Sequence, residues 1–415
     1  MRPTRIQARA AVWVGGVAFA AALTMVLLVF RQQDLVGNKG DPYGYGRIAR
    51  GFIEHGFDKL TRRAASLYPE FIAVVYRLGG GDFAVELLQC ALHAGTCLLA
   101  LTIGTKLYNP RTGKIAGLLC ALHPMLLRYV ADLHMETVLT FLCTLTVWRA
   151  LLFHDLPNVR NGILLGAVAM VTTLTKGVML PFVVVFAVVE LVFALRPVNP
   201  QRIAAVGGIF VAMALLFAPW SYRNYRATDG KFMGLTPGTS DSFLRGYIFT
   251  RLEFATLQKR PYEFAENECN ALFRSIARSA GTEWELDEVE DEKNNARFAK
   301  QMVLTRPFDT IRKCVVGLFT FWYEMTSLKN SLVPLGLALV AWALAALGFR
   351  RSRAEEGSVP WLLILPIVVM NVFVAALIPL GRYSVPILPC LMTLAAFGID
   401  TLLSRWLRPA SAAGN

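Results

Sequence analysis

Long apolar runs without charge constrain this chain more than any other feature of its sequence. Several stretches of roughly 20 residues contain no Asp, Glu, Lys or Arg, which at ~1.5 Å per helical residue is enough to cross ~30 Å of hydrocarbon. The chain is 55% hydrophobic and only 17% charged, whereas soluble proteins carry about 25% charged residues. Because only helices satisfy their own backbone groups locally in lipid, runs separated by polar segments predict an all-α polytopic membrane protein.

About ten transmembrane helices are predicted, and the lysines and arginines between them give an orientation. The predicted spans fall at about 10–30, 84–105, 114–130, 135–153, 160–175, 178–195, 202–220, 331–349, 360–379 and 384–404. Basic residues gather at every second connection, so the positive-inside rule predicts that both termini are cytoplasmic. The net charge of +13 lies in these short clusters and not on one soluble face, which excludes nucleic acid as a partner.

Two connections on the predicted outer side are long. The first covers residues 31–82, and apolar residues recur at helical spacing from Tyr45 to Ile53 with charged residues opposite. This pattern predicts an amphipathic helix on the membrane surface, and a second such helix is predicted over residues 69–78.

The second long connection, residues 221–330, is predicted to be an extracytoplasmic region. It includes an apolar stretch, 311–323, which is too short for an eleventh crossing and is interpreted as an interfacial or re-entrant helix. The chain therefore divides into a transmembrane catalytic module with the first outer loop (1–220), this outer region, and C-terminal transmembrane helices (331–415).

Asp41 is the leading candidate for a catalytic group. It lies in the run Gly40-Asp41-Pro42-Tyr43-Gly44-Tyr45, between a glycine-rich segment and the first surface helix. An acidic residue at the mouth of a membrane span needs an explanation, because it is costly there. Asp is also a favoured helix N-cap, and Pro42 suits the first helical position. The two roles are compatible.

A second acidic cluster, Asp132, His134 and Glu136, lies where the third predicted span gives way to the fourth. Asp132 and Glu136 are four residues apart and would share a face of a helix. Two carboxylates and an imidazole can bind a divalent metal or hold a catalytic base, so these residues are also candidate metal ligands. The alternative is that all three are polar residues that end the spans.

Three basic residues, Lys176, Arg223 and Arg382, fall at predicted outer turns, where the charge rule does not favour them. Arg62 and Arg63 lie nearby in the first outer segment. Converging cations at a bilayer surface can bind a phosphate or diphosphate, with Arg making bidentate contacts. Taken singly, each is equally consistent with a side chain that extends to the interface or forms an ion pair. Together with the carboxylates, they indicate a lipid-phosphate substrate.

Five motifs occur in the order of one known superfamily. They are Asp41-Pro-Tyr-Gly-Tyr45-Gly-Arg-Ile48-Ala49, Tyr68-Pro69, the segment from His123-Pro124 to Glu136, Pro219-Trp220-Ser-Tyr-Arg223-Asn224 with Gly230, and Gly381-Arg382-Tyr383 with Pro386 and Pro389. In this order they resemble the motifs of the glycosyltransferase-C membrane enzymes. That group includes the dolichyl-phosphate-mannose–protein mannosyltransferases and bacterial relatives that add sugars to lipid A and lipopolysaccharide core. One departure is Pro42, where many relatives carry a second acidic residue.

The resemblance implies transfer of a sugar from a polyprenyl-phosphate-linked donor to a glycolipid, polysaccharide or protein at the outer face of a bacterial inner membrane. Asp41 would be the base or would position the acceptor, and Glu136 would be a second acidic site residue. The substrate-binding residues would be Tyr45, Arg62, Arg63, His134, Lys176, Arg223, Asn224, Arg382 and Tyr383. The resemblance makes no cofactor certain, and it leaves a divalent metal open. The alternatives are a polysaccharide polymerase or ligase, and a flippase or transporter of lipid-linked sugars.

Overall fold

The computed structural model describes residues 5–33, 41–56, 66–251, 261–323, 328–355 and 360–406. Within these ranges the chain is helical and forms no β-strand. The predicted all-α class is therefore confirmed. The first-half helices are α1 (Arg5–Gln33), α2 (Asp41–Glu54), α3 (Leu67–Arg77), α4 (Asp82–Leu107), α5 (Pro110–Leu122), α6 (Pro124–Arg128), α7 (Glu136–Asp155), α8 (Val159–Thr175), α9 (Leu180–Leu195) and α10 (Pro200–Ala227).

The second half contains four shorter helices of the predicted outer region, α11–α14, which we call the outer helices, and then three apolar ones. The bounds are α11 (Thr239–Phe249), α12 (Pro261–Ser279), α13 (Glu288–Thr305), α14 (Pro307–Thr320), α15 (Leu328–Glu355), α16 (Trp361–Ala375) and α17 (Leu388–Trp406). Two 3-10 turns, Gly177–Met179 and Gly381–Ile387, precede α9 and α17.

Among the described residues, seven helical segments are long and apolar enough to cross a membrane, and α8 and α16 are shorter apolar helices. The predicted third span is split, because α5 ends at Leu122 and α6 begins at Pro124. Pro124 cannot donate a helical hydrogen bond, and the His123 side chain instead accepts one from Met125 N at 3.3 Å. The number of ten crossings stays a prediction.

The bundle has two chemically different ends. Helix α7 begins at Glu136 and ends at Asp155. Glu136 therefore lies at one end of the bundle, together with Lys176 and the Gly381–Ile387 turn. We call this the site end. We call the opposite end of the bundle the distal end. There, the buried Glu190 accepts hydrogen bonds from Arg202 at 2.6 and 2.9 Å. Glu190 also lies 2.6 Å from His154 Nδ1. This ion cluster ties α7, α9 and α10 together.

The outer helices α11–α14 form a small core of their own at the site end. Leu244, Cys269 and Phe273 pack in this core with Ile378 and Leu380, which come just before Arg382 in the chain. The outer region is therefore packed directly against the segment that leads into the last span.

Candidate active site

Two cations of the site end meet on the ring of Tyr383. Lys176 Nζ lies 3.8 Å from the ring centroid, and the guanidinium carbon of Arg382 lies 5.0 Å from it. Arg382 Nη2 also donates to the Tyr383 hydroxyl at 3.1 Å. The positions follow from local structure, because Lys176 ends α8 in extended backbone and Arg382 lies in the 3-10 turn. Two like charges around one ring create a positive site that an anion would stabilise.

Glu136 and the loop before it supply acidic groups next to these cations. Glu136 is buried in the first turn of α7, where the helix N-terminus favours a carboxylate. Helix α7 packs against the Gly381–Ile387 turn, which carries Arg382 and Tyr383. The positive site is thus bordered by a buried carboxylate.

His134 lies in the same loop, with Nδ1 3.4 Å from an Asp132 carboxylate oxygen and its ring 5.5 Å from that of Tyr129. Burial alone would lower the pKa of His134, but Asp132 and Glu136 raise it above its ordinary value. No three His, Cys, Asp or Glu side chains of the described part of the chain are arranged to hold a metal ion. Asp132, His134 and Glu136 therefore do not form a metal-binding set in this arrangement.

A chain of contacts links α2 to this loop. The Tyr45 ring of α2 packs edge-on against Tyr68 of α3 at 5.2 Å. The Tyr68 hydroxyl donates to Gln89 Oε1 at 2.8 Å, and Gln89 Nε2 donates to the carbonyl oxygens of Val130 and Asp132 at 3.0 and 2.8 Å. Burial, and next the charge of Glu136, raise the pKa of Tyr68 well above its usual value.

Asp41 is the first residue of α2, one helical turn before Tyr45. On a helix, residues four apart share a face, about 6 Å apart along the axis. The start of α2 is therefore placed beside the Tyr45–Tyr68 contact. The side chain of Asp41 lies outside the part of the structure that is described, and so do Arg62 and Arg63.

Arg223 has a different set of partners from Lys176 and Arg382. It forms an ion pair with Glu70 of α3, and its guanidinium lies 3.6 Å from the Trp220 ring centroid. Arg223 Nε and Nη2 donate to Asn224 Oδ1 at 3.3 and 3.1 Å, and Asn224 Nδ2 donates to Gly234 O at 2.8 Å. These contacts join α10 to α3.

Sequence reasoning missed Glu70 and Gln89. Burial raises the pKa of Glu70, and Arg223 opposes that shift. The signal for Gln89 was an amide within a predicted membrane span, which is costly in lipid unless it is hydrogen-bonded. The signal for Glu70 was a carboxylate one residue after Pro69 in a surface helix.

The fold of this chain is similar to that of a larger solved structure. The structure resembles the archaeal oligosaccharyltransferase AglB from Archaeoglobus fulgidus, solved with an inhibitory peptide and a dolichol-phosphate, with a TM-score of 0.52 and 13% identity. The likeness covers 99% of this chain and 53% of that one, so the chain spans about half the length of that relative. The predicted glycosyltransferase-C fold is confirmed.

Part of the chain also matches a known protein family by sequence. Residues 65–222 match the family model described as dolichyl-phosphate-mannose-protein mannosyltransferase. This segment runs from just before α3 through most of α10, and it contains Gln89, Glu136 and Lys176. No curated protein matches the chain by sequence. The family expected from the five motifs is therefore matched over this segment, which contains the Tyr68-Pro69 motif and the His123-to-Glu136 motif.

Proposed function

We propose that the protein transfers a sugar from a polyprenyl-phosphate carrier to an acceptor hydroxyl, at the site end of the bundle. The observation that carries this proposal is the meeting of Lys176 and Arg382 on Tyr383, in a turn that packs against α7, whose first residue is the buried Glu136. A lipid-linked donor needs cations at a membrane surface, and this cluster supplies them at the ends of apolar helices.

The reaction is a displacement at the anomeric carbon. An acceptor oxygen forms the new bond to that carbon, while the bond from the carbon to the phosphate oxygen breaks. The acceptor proton passes to the Asp41 carboxylate, and polyprenyl phosphate departs with the bonding electron pair. Lys176 and Arg382 stabilise the charge that develops on the phosphate. A single displacement of this kind inverts the anomeric centre.

Several finer features belong to the same proposal. The site end faces the extracytoplasmic side of a bacterial inner membrane, and both termini are cytoplasmic. The sugar is a hexose or a pentose. The acceptor is a glycolipid, polysaccharide or protein, bound beside the start of α2. His134 faces that acceptor, the buried Tyr45 and Asn224 support the helices around it, and Arg223 positions α3 through Glu70.

A comparison of lipid and polymer extracts tests this function. Cells that carry the protein should contain a sugar on one glycolipid, polymer or protein, and cells without it should lack that sugar and accumulate its polyprenyl-phosphate donor. No difference in either fraction would contradict the function.

The role of Asp41 is tested in the same cells by Asp41→Asn. This variant should insert in the membrane at the normal level yet fail to restore the sugar, because the amide cannot take the proton. Glu54→Gln is the matched control, since Glu54 is an exposed carboxylate on the same helix. Full restoration by Asp41→Asn would remove Asp41 from the mechanism.

A further inference from the structure

A groove runs between α15 and α16 at the distal end of the bundle, away from the candidate active site. It has a volume of about 640 Å³. One wall is a stripe on α15 that includes Trp342, Ala346 and Phe349, and the other is formed by Ile364 and Val368 of α16. The spacing on each helix is that of a single helical face. The groove is open to the surrounding lipid, because Trp342 is 39% exposed and Val368 is 50% exposed.

Close packing on α17 creates the groove. A Cβ on Gly348 would come within 2.5 Å of Leu394 O, and one on Gly398 would overlap Leu344 O, so α15 and α17 touch through their backbones. Helix α16 packs on α17 as well, and Leu394 forms the floor between the two walls. The groove is therefore part of the packed structure of the last three helices.

The distal end of this groove is basic. Arg350 and Arg353 continue the α15 stripe for one more turn, and both line the groove with exposed side chains. Arg351, between them, points elsewhere and donates to Thr401 Oγ1 at 3.2 Å. An apolar channel that ends in two guanidinium groups is complementary to a molecule with a hydrocarbon chain and an anionic head.

We propose that this groove binds one anionic phospholipid, with an acyl chain along the α15–α16 walls and the phosphate against Arg350 and Arg353. A free phosphate would leave the apolar walls exposed, and a zwitterionic lipid would bring its own cation next to the two arginines. Basic pockets between transmembrane helices favour anionic head groups for this reason. The site lies at the opposite end of the bundle from Lys176 and Arg382, so it is separate from the donor site.

The test is a lipid titration of the purified full-length protein in neutral detergent, followed by native mass spectrometry. The probes are phosphatidylglycerol and phosphatidylcholine with the same acyl chains. The wild-type protein should retain one phosphatidylglycerol in preference to phosphatidylcholine. Arg350→Gln with Arg353→Gln should weaken phosphatidylglycerol binding about 10- to 30-fold and remove the preference.

Two further variants distinguish binding of the lipid head group from binding of the acyl chain and from a general effect of positive charge. Ala346→Trp should fill the groove and weaken both lipids, since Ala346 is exposed on its wall. Arg160→Gln with Arg196→Gln removes the same charge from exposed positions beside the distal ion cluster, and it should leave binding unchanged. Wild-type binding by the Arg350/Arg353 variant, or an equal loss in the Arg160/Arg196 control, would overturn the proposal.

Discussion

At the residue scale, Tyr383 contacts both the two cations of the site and the hydrophobic cores of the protein. Its ring contacts Lys176 and Arg382, and the same ring packs against both the core of the bundle and the core of the outer helices. A change in the outer region can therefore reach the two cations through one side chain. An aromatic ring suits this role because its face stabilises cations without neutralising their charge.

The two functions of Tyr383 can be separated by substitution. Tyr383→Phe keeps the ring and loses only the hydroxyl that accepts from Arg382, whereas Tyr383→Leu loses the aromatic face as well. A cation–π contact contributes ~0.5–2 kcal/mol. We expect the KM for the lipid donor to rise about 2- to 30-fold more in the Leu variant than in the Phe variant. Equal KM values in the two variants would show that the aromatic face has no role.

The site residues differ in how far the sequence could predict them. Lys176 and Arg382 were selected because they are basic at predicted outer turns, and the structure places both on one ring. Arg223 was selected in the same way, and the structure pairs it with Glu70 of α3. That contact joins residues 153 positions apart, and no local pattern specifies it.

At the element scale, a buried lysine fixes the outer helices to the bundle. Lys313 of α14 is fully buried, and Nζ donates to Phe243 O and Ala376 O at 2.8 Å each. Ala376 ends α16, where the helix dipole favours a cation. Burial lowers the pKa of Lys313 to about 7. Gly246 of α11 lies at the same junction, since a Cβ there would overlap Leu377 O.

Gly246→Ala should therefore loosen the outer helices from α16. The added methyl has no space beside Leu377 O and would come 2.5 Å from Lys313 Cε. We expect faster proteolysis of residues 239–305 and a lower thermal unfolding midpoint. Gly207→Ala is the matched control, because Gly207 is also helical but has nothing within 4 Å of its Cβ position. Identical behaviour of the two variants would contradict a close contact at Gly246.

The bounds of the elements were predictable where the local chemistry is strong. Asp41-Pro42 begins α2 and Pro200 begins α10, as expected of residues that favour helix starts. The last span was predicted from residue 384, but the helix begins at Leu388 after a 3-10 turn. The predicted span still lies within the candidate membrane segment Gly381–Ser404. A regular helix from residue 384 would place Pro389 in its interior, where the missing N–H would interrupt the helical hydrogen bonds, so the α-helix starts later than the span.

At the scale of the whole molecule, the two ends carry different charge clusters and should face different compartments. The site end is predicted to face outward and the distal end to face the cytoplasm. Glu283→Cys in the outer region should react with a membrane-impermeant maleimide in intact cells, and Arg160→Cys at the distal end should react only after permeabilisation. Both positions are exposed, and six of the seven native cysteines are buried. The reverse labelling pattern would place the site in the cytoplasm.

The central claim is that Lys176 and Arg382 receive the phosphate of a lipid-linked donor. The most direct measurement is the affinity of the purified protein for a polyprenyl phosphate that carries no sugar, which excludes any effect on the chemical step. Hydrogen bonds to charged groups contribute ~1.5–3 kcal/mol each, so Lys176→Met with Arg382→Gln should raise the Kd at least about 100-fold. Lys231→Gln with Arg278→Gln, two cations of the outer region, should leave it unchanged. An unaltered Kd in the Lys176/Arg382 variant would contradict the account.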